Sequence, residues 1–185
     1  MNWEFTVLNW ITENLHSDFW TPVLRFITTL GDGGILWIAL ALILLIPRRS
    51  RQCGFAMALS LLFCGLCGNV ILKPLVARIR PYDVNTAVQL LIPRLPDFSF
   101  PSGHTYASFA GACVLLHYYR KAGICAFILA VLIAFSRLYF YVHYPTDVLA
   151  GLLMGIGFAV LSIWLVHEFL WKRLPARFTG SLHES

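Results

Sequence analysis

The chain has 185 residues, of which 58% are hydrophobic and only 12% charged, and its mean hydropathy is +0.72. A soluble domain carries about 25% charged residues, so this chain has too few polar groups to cover a water-facing surface and is far too apolar to be disordered. The net charge of +5 then reads as basic loops beside a membrane, and no nucleic-acid partner is expected.

Residues 1–30 carry two helical patterns. Trp3, Val7, Leu8, Trp10, Ile11 and Leu15 recur at helical spacing, with Glu4, Asn9, Thr12, Glu13 and His16 largely between them. Phe19, Trp20, Val23, Leu24, Ile27 and Leu30 form the second apolar face, with Ser17 as a candidate N-cap and Pro22 tolerated in a first turn. Tryptophans in a polar-striped segment predict helices lying in the membrane interface. A charged, tilted first span is the competing reading. No basic segment leads into an apolar core here, so no cleavable signal is expected.

Five apolar runs follow, at 30–47, 53–72, 105–119, 122–135 and 148–170. The first is just adequate, since about 20 residues cross a bilayer. The loop 47–51 (PRRSR), the turn 119–121 (YRK) and the tail from 171 (WKRLPAR) are basic, brief and on one side of this scheme. The positive-inside rule makes that side cytoplasmic. The polar stretches 73–103 and 136–147 then share the opposite side and meet there. The expected fold is an all-α polytopic membrane helix bundle of five to six transmembrane helices with N-terminal interfacial amphipathic helices. Its parts are an interfacial segment at 1–30, a membrane domain at 31–171 and a basic cytoplasmic tail at 172–185.

The cysteines Cys53, Cys64, Cys67, Cys113 and Cys125 fall in or beside the apolar runs. Cys64 and Cys67 form a C-x-x-C, but no second Cys/His pair of matching spacing accompanies it. They read as small apolar helix residues, and no disulfide framework or zinc site is expected.

The outer stretches hold Lys73, Arg78, Arg80, Arg94 and Arg137, against the positive-inside bias, together with His104, His143 and Asp147. For Arg78 and Arg94 an ordinary loop charge explains as much as a function does. For the group as a whole it does not, because ionisable residues at membrane depth are costly. Converging cations bind a multiply charged anion, and arginine fits phosphate oxygens bidentately. Pro101-Ser102-Gly103-His104 opens a helix whose free N–H groups suit a phosphate, with Ser102 as a further donor. Pro145 starts the last helix, placing Asp147 in its first turn near His143. A histidine beside an orienting carboxylate is the arrangement of a nucleophile or base. The residues therefore point to phosphoryl transfer by histidine at the outer face of a bilayer.

The same residues resemble the type 2 phosphatidic acid phosphatase superfamily of membrane lipid phosphatases. Its K-x6-R-P motif appears as Lys73 to Arg80-Pro81, its P-S-G-H as Pro101 to His104, and its S-R-x5-H-x3-D as Ser136-Arg137 through His143 to Asp147. The resemblance covers roughly residues 30–170. It implies that His143 attacks phosphorus to form a phosphohistidine and that Asp147 orients it. It implies that His104 protonates the leaving oxygen and then activates water. Lys73, Arg80, Ser102, Gly103 and Arg137 would bind the phosphate oxygens. No metal or other cofactor is expected, because the cations neutralise the charge and no magnesium-type carboxylate cluster is visible.

The expected substrate is a lipid phosphate or prenyl diphosphate: undecaprenyl diphosphate first, then phosphatidylglycerophosphate or phosphatidic acid. The rival readings are a lipid phosphotransferase and a non-catalytic lipid-phosphate binding or transport protein. The expected location is the cell membrane, multi-pass, with the site on the extracytoplasmic side; the motifs leave oligomeric state open. Gly151, Gly155, Gly157 and the Ala107/Gly111 pair read as helix-packing residues. Tyr139, Phe140, Tyr141 and Tyr144 read as interfacial aromatics, some of them lining a lipid entrance.

Overall fold

The computed structural model describes residues 3–173, and every regular element among them is helical. The tail expected at 172–185 lies almost entirely outside the described residues. Helix α1 (Trp3–Leu15) is followed by α2 (Trp20–Thr29), a Gly-rich break at 31–34, and α3 (Ile35–Leu45). Helix α4 (Arg51–Phe63) continues through a π-helical stretch, Cys64–Leu72, into the short α5 (Lys73–Val76). After α6 (Pro81–Val84) and an irregular loop come α7 (Gly103–Tyr118), α8 (Arg120–Tyr139) and α9 (Pro145–Leu165).

Four helical runs among the described residues are long and apolar enough to cross a membrane: Trp20–Leu45, Arg48–Val84, Arg120–Tyr139 and Pro145–Arg173. The first starts ten residues before the apolar run read from sequence at residue 30, because α2 packs along α8 and leads into α3. Helix α7 has 16 residues, about 24 Å at 1.5 Å per residue. It needs no longer reach, since it is sheathed by α3, α4, α8 and α9, and every residue from Thr105 to Ala112 is buried.

Close packing around α7 depends on missing side chains. A Cβ on Gly155 of α9 would stand 2.6 Å from the Tyr106 carbonyl oxygen, and one on Gly151 2.8 Å from that of Ser102. Gly111 lies under Trp37 of α3, whose indole N–H donates to Ser108 Oγ at 3.1 Å. Gly157 differs from the sequence expectation: nothing lies within 4 Å of its Cβ position, so it faces away from the packed seam.

Two ends of the bundle are distinguishable. The Tyr119 hydroxyl donates to the Arg49 carbonyl at 3.4 Å, so the basic segments 47–51 and 119–121 share one end. At the other end α1 lies over the loop joining α8 to α9, burying Leu8 and Ile11 against Tyr82, Tyr139, Tyr141 and Tyr144. Trp3 and Trp10 point outward, as an interfacial helix requires. The aromatic cluster departs from expectation: Tyr139, Phe140, Tyr141 and Tyr144 are all buried. They are the floor beneath α1, whose Leu8 and Ile11 supply their apolar cover, rather than residues open to the interface.

Candidate active site

Lys73 and Arg80 are brought together by proline geometry. Pro74 lacks an N–H and would crowd the carbonyl of residue 70 in a regular helix, and the π-helical stretch that ends at Leu72 gives the chain a wider turn there. Helix α5 stops at Ala77, whose φ is 47°. Pro81 holds Arg80 extended, at ψ 150°. The reversal points both cations at Asp97. Lys73 Nζ pairs with Asp97 Oδ2, and Arg80 Nη2 with Asp97 Oδ1 at 2.6 Å. Burial works to raise the Asp97 carboxyl, but Lys73 and Arg80 overcome it and hold it down at about 2.

Gly103 and His104 open α7. Ser102 sits one step behind them: its N–H donates to the Asp147 carbonyl at 3.1 Å, and its hydroxyl accepts from Thr105 Oγ1 at 2.9 Å. His104 Nε2 lies 2.9 Å from Asp32 Oδ1.

The third motif spans the end of α8 and the start of α9. Arg137 is buried, with Nη1 donating to Thr28 Oγ1 at 2.5 Å. Its Nε and Nη2 have no hydrogen-bond partner among the described residues. Tyr141, at φ 59°, turns the chain back, and the His143 N–H donates to the Arg137 carbonyl at 3.4 Å. Strained backbone of this kind persists where the surroundings over-determine it. Here the Tyr141 hydroxyl is fixed by Asn85 and Asn9.

Asp147 is completely buried and fully engaged. Its Oδ2 accepts from Ser99 Oγ at 2.6 Å and from the Tyr144 N–H at 2.9 Å, and its Oδ1 accepts from Arg78 Nη1 at 2.6 Å. His143 Nδ1 stands 3.6 Å from Oδ2, slightly beyond hydrogen-bond length. On the other edge of the ring, Arg80 Nη1 lies 3.3 Å from Nε2. A guanidinium only donates, so Nε2 is bare and the ring proton is on Nδ1, facing the carboxylate. Burial, followed by Arg80 and Arg137, holds the imidazole far below its ordinary 6.5, at about 3, against the pull of Asp147. The ring is therefore neutral, with a lone pair on Nε2.

A cavity of about 370 Å³ has His143 in its wall. Of the sequence-nominated residues, Lys73, Arg80, Gly103, His104 and His143 line it, while Ser102, Arg137 and Asp147 stand behind its wall. Arg94 is elsewhere, in an exposed pair with Asp83. The cavity's apolar side is formed by Ile38 of α3, Leu61 of α4 and Ala107 of α7. Sequence reasoning missed Asp32, Asp97, Ser99 and Glu4. The Gly-Asp-Gly-Gly run was an available signal for Asp32. Asp97 and Ser99 sit just before the P-S-G-H motif, but no spacing rule singled them out.

A bundle of membrane-crossing helices that gathers cations and two histidines at one end defines a membrane protein with an anion site. The sequence pattern of the PAP2 superfamily matches residues 49–171, and the chain belongs to that superfamily. It is 37% identical over 129 residues to an undecaprenyl-diphosphatase of Sulfolobus acidocaldarius, covering 69% of this chain and 62% of that protein. It is 32% identical over 177 residues to a lipid A 4'-phosphatase of Bacteroides thetaiotaomicron, covering 88% of this chain and 75% of that one.

Among solved structures, a PAP2-type phosphatidylglycerolphosphate phosphatase from Bacillus subtilis superposes with a TM-score of 0.74 at 26% identity, covering 93% of this chain and 87% of that chain. Aquifex aeolicus LpxE gives 0.76 at 28% identity, covering 89% and 96%.

Proposed function

We propose that the chain is a lipid phosphatase that releases phosphate from a membrane lipid through a phosphohistidine on His143. The observation that carries this reading is the bare Nε2 of a neutral, buried imidazole, set between Arg80 and Asp147 on the wall of a cation-lined cavity. As Nε2 attacks phosphorus, the ring becomes cationic, and the Asp147 carboxylate opposite Nδ1 stabilises that charge. Lys73, Arg80 and the Gly103 N–H, which line the cavity, receive the phosphate oxygens, and the unpartnered N–H groups of Arg137, buried outside that lining, add positive charge from behind them. Asp97, which holds Lys73 and Arg80 in the free protein, gives way to the substrate. Ser102 holds the N-terminus of α7 against Asp147. His104 protonates the leaving oxygen and then activates water. The cations supply the neutralisation that a metal supplies elsewhere, so the reaction needs none.

The substrate we favour is undecaprenyl diphosphate, supported by the Sulfolobus relative's name. Phosphatidylglycerophosphate and lipid A phosphates are competitors on the same grounds, and phosphatidic acid is a competitor on the family resemblance alone. The site faces the extracytoplasmic side, where a lipid presents its headgroup without carrying charge through hydrocarbon.

Phosphate release from a panel of these lipids, by purified protein in detergent with EDTA present, tests the reading. Turnover of one lipid class, abolished in a monodisperse His143→Ala variant, is expected. Full turnover in that variant, or activity recovered only with added divalent metal, overturns the mechanism. Transfer of the phosphoryl group to an added acceptor in preference to water makes the protein a phosphotransferase instead.

A further inference from the structure

Between α2 and α3 the chain reads Gly31-Asp32-Gly33-Gly34. Gly33 and Gly34 hold φ values of 58° and 68°, a region that residues with side chains avoid. Gly31 lies beneath the His104 ring: a Cβ there would stand 2.7 Å from His104 Cδ2 and 3.0 Å from Ile133 Cγ2. The imidazole thus fills the space of the missing side chain. The same turn sets Asp32 Oδ1 2.9 Å from His104 Nε2, and both residues line the cavity. One glycine and a carboxylate therefore fit one ring, and the two glycines that follow let the chain turn there, at the point where an apolar helix would otherwise run unbroken.

We propose that Asp32 is the positioning residue of His104, so that the site contains two carboxylate–imidazole pairs, one for the nucleophile and one for acid–base work. This rests on the reading of His104 as the proton donor. A carboxylate only accepts, so Nε2 keeps its proton throughout and the exchangeable proton is the one on Nδ1. In the first half-reaction the bond from His143 Nε2 to phosphorus forms as the bond from phosphorus to the leaving oxygen breaks. The incoming phosphate's negative charge holds His104 protonated, although burial and Arg137 push the imidazole of the free site down to about 4, and its Nδ1 proton passes to that oxygen. The neutral ring is left with its Nε2–H still on Asp32. In the second half-reaction water attacks phosphorus and the P–N bond breaks. Nδ1 takes the proton that water loses, which restores the imidazolium. Without Asp32 the ring is free to hold its proton on the wrong nitrogen, a fault that leaves geometry intact and still disables catalysis.

Leaving groups separate this role from a structural one. A p-nitrophenyl phosphate departs as a stable phenolate, whereas a short-chain alkyl phosphate needs a proton. kcat/KM reports only the steps through that departure. In Asp32→Asn the alkyl-to-aryl ratio of kcat/KM is expected to fall by about tenfold, less than the roughly 10²–10⁴ that a general acid contributes in full, because Asp32 acts only through His104. His104→Gln should lower the ratio further, and Asp32→Glu, which returns the carboxylate, should recover part of it. An unchanged ratio in Asp32→Asn, with the ratio still lowered in His104→Gln, overturns the role of Asp32 and leaves His104 as the acid. An unchanged ratio in His104→Gln overturns the acid assignment itself, and the Asp32 proposal with it. Asp32 is more than half exposed, so these variants should fold, and size-exclusion profiles in detergent confirm it.

Discussion

Glu4 and Asp147 share one guanidinium. Arg78 gives Nη1 to Asp147 Oδ1 and Nη2 to Glu4 Oε2, each at 2.6 Å, and stacks over Tyr144 at 3.8 Å. Glu4 Oε1 also accepts from Thr146 Oγ1 at 2.6 Å. The N-terminal helix is thereby tied to the turn of α9 that carries Asp147. Glu4, placed on the polar face by its sequence neighbours, is buried with Leu8 and Ile11.

Arg78→Gln should therefore be costly. Breaking a buried pair by removing one partner costs about 3–5 kcal/mol, reduced here because a quarter of the Arg78 side chain is exposed. Asp147 Oδ1 would lose its donor, and the carboxylate would be free to turn away from His143. The expected result is a roughly tenfold or larger fall in kcat, on the scale of an orienting interaction, with KM much less affected. Steady-state kinetics alongside melting in detergent checks it. A lowered melting temperature with unaltered kcat would confine Arg78 to stability.

The residues gathered at the candidate site were legible because they are punctuated by backbone chemistry. Pro74, Pro81, Pro101 and Pro145 begin or turn elements, and each stands beside a residue the site uses. The helices from residue 30 on were legible from uninterrupted apolar runs. The counter-charges were not. Asp32, Asp97 and Glu4 each lie in a different segment from the cation or imidazole they meet, and only the tertiary fold pairs them. The buried aromatics at 139–144 were misread for the same reason. Period and composition do not say whether lipid or α1 covers an apolar face.

Asp97 holds the two cations proposed to bind the phosphate. Its pairs are partly exposed, with the Asp97 side chain 45% accessible, and such pairs are worth up to about 1 kcal/mol. Asp97→Asn should therefore tighten competitive inhibition by inorganic phosphate about two- to fivefold. A Ki series at constant ionic strength checks this. Weaker phosphate inhibition would mean that Asp97 organises Lys73 and Arg80 for the anion rather than competing with it. Because the Asp97 carboxyl is held at about 2, below its ordinary 3.8, the effect should persist unchanged from neutral pH down to about pH 4.

Gly155 and Gly157 offer a matched pair on one helix. A methyl at Gly155 meets the Tyr106 carbonyl and backbone of α7, and overpacking of this kind costs about 1–3 kcal/mol. A methyl at Gly157 meets nothing, and alanine is the better helix former. Gly155→Ala should lower the melting temperature in detergent and Gly157→Ala should hold or raise it. Equal loss in both would show that α9 packs on another face.

The last prediction concerns sidedness. Arg48, Arg49 and Arg51 and the turn at Arg120 and Lys121 gather at the end of the bundle opposite the site. On the positive-inside bias we propose that this end is cytoplasmic. Lys73, Arg80, His104, Arg137, His143 and Asp147 then sit near the outer interface, with α1 beside them. Single cysteines introduced into a cysteine-free background and treated with an impermeant reagent on intact cells read this directly. Ser50 is buried, with its hydroxyl on the Leu44 carbonyl, so the exposed Arg49 is the better inner reporter. Gln89 and Glu13 are exposed at the site end and serve as outer reporters. Gln89→Cys and Glu13→Cys should label in intact cells, and Arg49→Cys only after permeabilisation. Labelling of Arg49→Cys alone in intact cells would invert the protein and turn the site toward the cytoplasm. Labelling of Gln89→Cys without Glu13→Cys would detach α1 from the site end, and with it the Glu4–Arg78 tie to Asp147.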